Sequence, residues 1–101
     1  MSTSAIELRA AVALTVSTSD DALTVDLADG RTITVPLPWF PRLAHAAPAE
    51  RVNWRLIGRG TGIHWPDLDE GISVESLLAG RRSGETQASL QNWLESRRQV
   101  A

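Results

Sequence analysis

A chain of 101 residues has room for one small domain that buries roughly 65% of its unfolded surface, enough for a core but not for a deep internal pocket. Twelve acidic residues against ten arginines and no lysine give a formal net charge of −2, which argues against generic binding to a phosphate backbone. The absence of cysteine excludes disulfides and thiolate metal sites.

Residues 1–8 open on Met-Ser-Thr-Ser and are expected to be a flexible N-terminus. No basic flank leads into an apolar run and no segment approaches the length of a membrane span, so a cytoplasmic location is expected. Between Ala11 and Val16 the sequence alternates, with Val12, Leu14 and Val16 on one face of a strand. Thr18, Ser19, Asp20 and Asp21 form a polar turn cluster. Matching faces across it sets Val16 opposite Leu23 and Leu14 opposite Val25.

The stretch from Leu23 to Leu43 organises the rest. Leu23, Val25 and Leu27 recur with a period of two, as do Ile33, Val35 and Leu37. Directly opposed residues share a face, so Val25 must oppose Ile33 and Leu23 must oppose Val35. A two-residue Asp29-Gly30 turn gives the wrong parity. A three-residue loop, Ala28-Asp29-Gly30, gives the right one and puts Gly30 in the left-handed position, where a residue lacking Cβ is favoured. The first three strands thus read as an antiparallel meander.

Pro36 lacks an amide donor and marks an edge or an end of the third strand. Proline disfavours a helical residue before it, so Pro41 is the expected first helical position, with Phe40 outside. Leu43 and Ala47 then fall on the buried stripe of a short helix, and Pro48 to Arg51 adds one more turn. Val52, Trp54 and Leu56 make the apolar phase of the next strand. Parity across the glycine-rich connection pairs Leu56 with Ile63 and Trp54 with Trp65, and Pro66 ends the hairpin. Asp67 to Gly71 is an acidic turn. Ser73 is the expected N-cap of a helix from Val74 to Ala79, with Gly80 past its end. Residues 83–99 read as an added helix, capped by Ser83, with Glu85 in its first turn and Leu90, Trp93, Leu94 and Arg97 on a narrow stripe. The class is α+β: an antiparallel three-stranded meander, a short helix, a second hairpin and two C-terminal helices. Residues 9–82 form a single domain in this reading, and 83–101 an accessory helix.

Several runs resemble, in order, a bacterial family known as domain of unknown function 2442. They are Asp29-Gly30-Arg31, then Val35-Pro36-Leu37-Pro38-Trp39-Phe40-Pro41-Arg42-Leu43, then Arg51-Val52-Asn53-Trp54, then Gly62 through Glu70, then Leu77-Leu78-Ala79-Gly80. The resemblance covers about residues 12–80. It implies a small α+β domain, found alone or joined to a helix-turn-helix domain, and often encoded beside another small uncharacterised protein in the manner of toxin–antitoxin pairs. It supplies no catalytic residues. Residues 83–101 are too short for a helix-turn-helix domain.

His64 with Asp67, Asp69 and Glu70 is the one cluster resembling a site, since histidine with carboxylates suits a divalent metal or acid–base work. His45 sits on a different element, however, and the carboxylates are adjacent in a turn, so Asp67 and Asp69 are expected to cap it or face solvent. The Gly58 to Gly62 run joins two strands and lacks the Lys-Ser/Thr pair of a phosphate-binding loop. Trp39, Trp54 and Trp65 beside Arg42, Arg55 and Arg59 suit base stacking, but core placement is the expected role. Ser73 and Ser83 have no histidine partner at useful spacing. No metal, cofactor or catalytic residue is expected. The chain reads as a non-catalytic module for a small protein partner, antitoxin-like, using Arg55, His64, Asp67, Asp69 and Glu70 beside the second hairpin. A nucleic-acid-associated regulator is the first alternative, and a small enzyme using His64 and a carboxylate the second.

Overall fold

A computed structural model describes residues 11–99; the N-terminal segment expected to be flexible lies outside them. Strands β1 (Ala13–Thr18), β2 (Ala22–Leu27) and β3 (Thr32–Pro36) form an antiparallel sheet in the order β1-β2-β3. Two single-turn helices follow, α1 (Pro41–Ala44) and α2 (Pro48–Arg51). A second antiparallel sheet has the order β4 (Arg55–Ile57), β5 (Gly62–Trp65), β6 (Glu70–Ser73). Helices α3 (Val74–Leu78) and α4 (Gln87–Gln99) complete the chain. The α+β reading holds, and β6 extends the expected second hairpin to three strands.

The β2–β3 register is the one that parity demands, with Val25 opposite Ile33 and Leu23 opposite Val35. Gly30 has φ 94°, and the Leu27 amide reaches the Arg31 carbonyl at 2.8 Å across the Ala28-Asp29-Gly30 loop. The β1–β2 register differs from expectation by two residues: Val16 opposes Val25 and Thr18 opposes Leu23. The cause is local. The Ser19 hydroxyl accepts from the amides of Asp21 and Ala22, and the Ser19 amide donates to the Ala22 carbonyl, closing a tighter turn on Asp20 and Asp21. A shift of two keeps Val16 on the core face. Leu14 does not stay there. The ladder steps from Ala13–Leu27 to Thr15–Asp26, so Leu14 is the extra residue of a bulge and is 55% exposed, while Ala13 takes the buried place.

The inner faces of both sheets meet in one cluster that includes Leu23, Val25, Leu37, Leu43, Ile63, Trp65, Leu68 and Val74. Trp65 is fully buried and its indole N–H donates to the Arg51 carbonyl at 3.0 Å, so the ring enters the core without an orphan donor. Arg51, itself buried, donates to the carbonyls of Leu43 (2.8 Å) and Ala44 (3.0 Å) at the end of α1. The helix ends there: the Leu43 carbonyl also accepts the Ala46 amide at 3.2 Å, and the guanidinium supplies the further donors. Gly60, at φ 91°, lets the β4–β5 loop abut the start of β1, where a Cβ would stand 2.9 Å from the Ala13 carbonyl oxygen.

Four further expectations are corrected. Phe40 precedes α1 as predicted, but Ala46 rather than Ala47 is buried, because Ala47 turns outward to start α2 in an extended conformation. Val52 is 71% exposed because it ends α2 and lies outside any strand, and Leu56 is 37% exposed on β4, an edge strand with no strand paired beyond it among the described residues. Leu56 does oppose Ile63, but β4 begins at Arg55, so Trp54 stands outside the ladder and Trp65 pairs instead with Glu70 on β6. The last helix starts at Gln87. Thr86 accepts from the Ser89 amide at its N-terminus, and Ser83 and Glu85 belong to the connection. Ser73 caps α3 as expected, accepting from the Ser76 amide at 3.0 Å.

Candidate partner-binding site

The five residues singled out from the sequence do not share one surface. Arg55 and His64 are a direct cross-strand pair, and His64 has Gly71 on its other side. Ile63 and Trp65, which alternate with His64, are buried, so this row lies on the outer face. Glu70 opposes Trp65 and therefore points to the inner face. Asp67 lies in a single helical turn, Pro66–Leu68, and Asp69 follows it in the left-handed region at φ 50°. Aspartate tolerates that conformation better than most residues.

The turn is held from beneath by Arg42. Its Nη1 donates to the carbonyl oxygens of Leu68 (3.2 Å) and Asp69 (3.1 Å). Its Nε and Nη2 donate to the two carboxylate oxygens of Glu85, at 2.6 and 3.2 Å. Both side chains are largely covered, and the Ser89 hydroxyl also donates to Glu85. The Arg42 hydrogen bonds hold the Glu85 carboxyl below the usual carboxylate range and raise Arg42 in return. A charge-assisted fork thus joins α1, the acidic turn and the lead-in to α4.

Helix α4 closes over this fork. Trp93 packs against the core cluster, with the guanidinium carbons of Arg42 and Arg97 at 5.3 and 4.5 Å from its ring centre. Arg97 donates to Glu50 at 2.7 Å, and the same Glu50 oxygen accepts the Ala47 amide at 2.9 Å. The Arg97 hydrogen bond holds Glu50 below its ordinary pKa. Glu70 is the contrary case. Its Oε1 accepts from the Gly71 amide, Oε2 is buried with no hydrogen-bond partner among the described residues, and burial pushes its pKa up.

Between the acidic turn and α4 lies an open groove of about 580 Å³, with Pro66, Leu68 and Trp93 as apolar lining and Glu50, Asp67, Asp69 and Arg97 as charged walls. Arg97 and Glu50 are paired with each other. Asp67 accepts from the Asn53 side chain at 2.9 Å. The Asp69 side chain is 93% exposed, with a long 3.9 Å ion pair to Arg42. Of the residues expected to bind a partner, the groove gathers Asp67 and Asp69, while Arg55 and His64 stand on the outer face of the sheet and Glu70 is turned inward. Trp93 and Arg97 were legible only as one helical stripe. Arg42 and Glu85 are 43 positions apart and give no local signal of their pairing.

A family model described as protein of unknown function (DUF2442) matches residues 13–83. The chain belongs to the DUF2442 family. No curated protein gives a significant match. A similar fold occurs in a protein of unknown function from Rhodospirillum rubrum, known from its crystal structure. That protein is 28% identical, with a TM-score of 0.63 over 78% of this chain and 95% of that one. An uncharacterised protein from Chromobacterium violaceum, solved by solution NMR, shares the fold at 17% identity, with a TM-score of 0.66 over 97% of this chain and 86% of that one. The DUF2442 match includes Asp67 and Asp69 and stops short of Trp93 and Arg97, so one wall of the groove lies within the matched stretch and the other beyond it. Among the described residues no helix is long and apolar enough to cross a membrane, and no group of three or more His, Asp or Glu side chains is placed to hold a metal ion.

Proposed function

We propose that this chain is a non-catalytic protein-binding module, which takes a basic side chain of a partner into the groove between the acidic turn and α4. The observation that carries this reading is the disposition of Asp67 and Asp69. They stand at the rim on a turn whose backbone Arg42 fixes from within, and Asp69 has only a long ion pair of its own. A preorganised carboxylate pays little ordering entropy on binding. Apolar lining from Pro66 and the part-exposed Trp93 gives an aliphatic stem something to pack on, while the mixed charges of the rim set orientation.

The partner class agrees with what the resemblance to the family implies: a small protein encoded alongside, in an antitoxin-like arrangement. The tryptophans lend less to a nucleic-acid reading. Trp65 is fully buried, Trp39 lies under Arg82 at 4.9 Å, and Trp93 is covered by two arginines. The test is co-expression with the neighbouring gene product and affinity measurement on three chains: unaltered, Asp69→Arg and Arg55→Glu. Reversal at Asp69 should weaken binding roughly ten-fold or more, and Arg55→Glu should change it little. Loss confined to Arg55→Glu would shift the interface to the outer face of the sheet and overturn the groove assignment.

A further inference from the structure

The four sheet edges of this molecule are not treated alike. On β1 the edge is broken by the bulge at Leu14, and β3 ends in Pro36. On β6, Glu70 points a charge inward. Each is a known way to discourage edge-to-edge pairing. The remaining edge, β4, has no bulge, proline or inward charge, and no strand pairs with its outer side among the described residues. Two apolar side chains there are open to water, Leu56 at 37% and Ile57 at 49%.

We propose that two copies of this chain associate by antiparallel pairing of their β4 strands about a two-fold axis at Leu56. The register follows from face parity and charge. Opposed residues must share a face, so a symmetric pairing can centre on Arg55, Leu56 or Ile57. Centring on Arg55 sets that arginine against its own copy. Like charges directly opposed are destabilising, so that register is disfavoured. Centring on Ile57 leaves only Ile57 in the ladder, because β4 ends there and Gly58 and Arg59 turn away, each at φ 57°. Centring on Leu56 places Leu56 against Leu56 and Arg55 against Ile57, with no cation facing a cation. It also continues the apolar inner row Leu56, Ile63, Ile72 through the axis into its copy, covering the leucine that the edge leaves exposed. The two sheets become one of six strands. Three residues per strand make a short ladder, so the association is weak, with a Kd on the order of 0.1 mM.

Sedimentation of the full chain across a concentration series tests this, since no partner protein is present and the groove plays no part. The expected result is a monomer–dimer equilibrium. Leu56→Arg, which opposes two cations on the axis at an already exposed position, should weaken dimerisation roughly ten-fold or more. Ile57→Asp should leave the dimer intact or tighten it, because each introduced carboxylate would then face Arg55 of the other copy. Circular dichroism of each variant checks that the fold is retained. A chain still monomeric at about 0.5 mM, a dimer indifferent to Leu56→Arg, or one dissolved by Ile57→Asp would each overturn the proposal.

Discussion

Glu70 carries a carboxylate on the inner face of β6, where one oxygen has no partner among the described residues and burial raises the pKa. A folded-state pKa above the unfolded value of about 4.3 means that this group's contribution is fully present below that pH and is lost as pH rises through the folded value. Glu70→Gln removes the buried charge. It should therefore stabilise the chain at pH 7 by about 1 kcal/mol, and the gain should vanish in acid, where the native carboxyl is neutral as well. Chemical denaturation of both chains at pH 4 and pH 7 reads this directly. A variant less stable at pH 7 would show that attraction to Arg42 outweighs desolvation. Glu85 has the opposite sign: the Arg42 fork depresses its pKa, so its contribution is present above the unfolded pKa and fades as pH falls through the folded one. From the sequence, Glu70 was one more acid in an acidic turn. Its inward direction depends on β6 pairing with β5, which residue type does not reveal.

At the scale of elements, the bulge in β1 decides which apolar residue is core. Leu23→Ala should cost about 2–5 kcal/mol, as for a fully buried leucine, whereas Leu14→Ala should fall within about 0.5 kcal/mol of the unaltered chain. Equal costs at the two positions, measured by urea unfolding, would contradict the bulge. The β2–β3 hairpin was legible in full because loop length and face parity constrain each other there. The β1–β2 hairpin was legible only in its pairing partners. Its register was set by hydrogen bonds from the Ser19 side chain, which parity cannot see, since a slip of two residues leaves the faces unchanged. Strand β6 was hidden for a different reason. Its four residues, Glu70-Gly71-Ile72-Ser73, contain a single large apolar side chain, too few to display a period.

At the scale of the molecule, α4 is fastened by polar contacts around one aromatic ring: the Arg42–Glu85 fork, the Arg97–Glu50 pair and Trp93 between the two arginines. The large buried side chains belong to residues before 80, apart from Leu90 on the fringe. A chain ending at residue 82 should therefore still unfold cooperatively, with stability lower by up to about 3–5 kcal/mol, the cost of losing a well-packed tryptophan. A truncated chain with no cooperative transition by calorimetry would make α4 part of the core. Half of the groove was legible, since an acidic turn is plain from residue types. The other half was not, because its wall is built by contacts between residues far apart in the chain, Asp67 and Asp69 on one side, Trp93 and Arg97 on the other.

The groove is the proposed binding place of a protein partner. An NMR titration of the isotope-labelled chain with the neighbouring gene product tests it most directly, with a DNA duplex titrated in parallel at two salt concentrations. Shifts should concentrate on the amides of Asp67 to Asp69 and on the Trp93 indole N–H, with none from DNA at the higher salt. Shifts induced by DNA alone, weakening as salt rises, with the groove resonances unmoved by the protein, would contradict it.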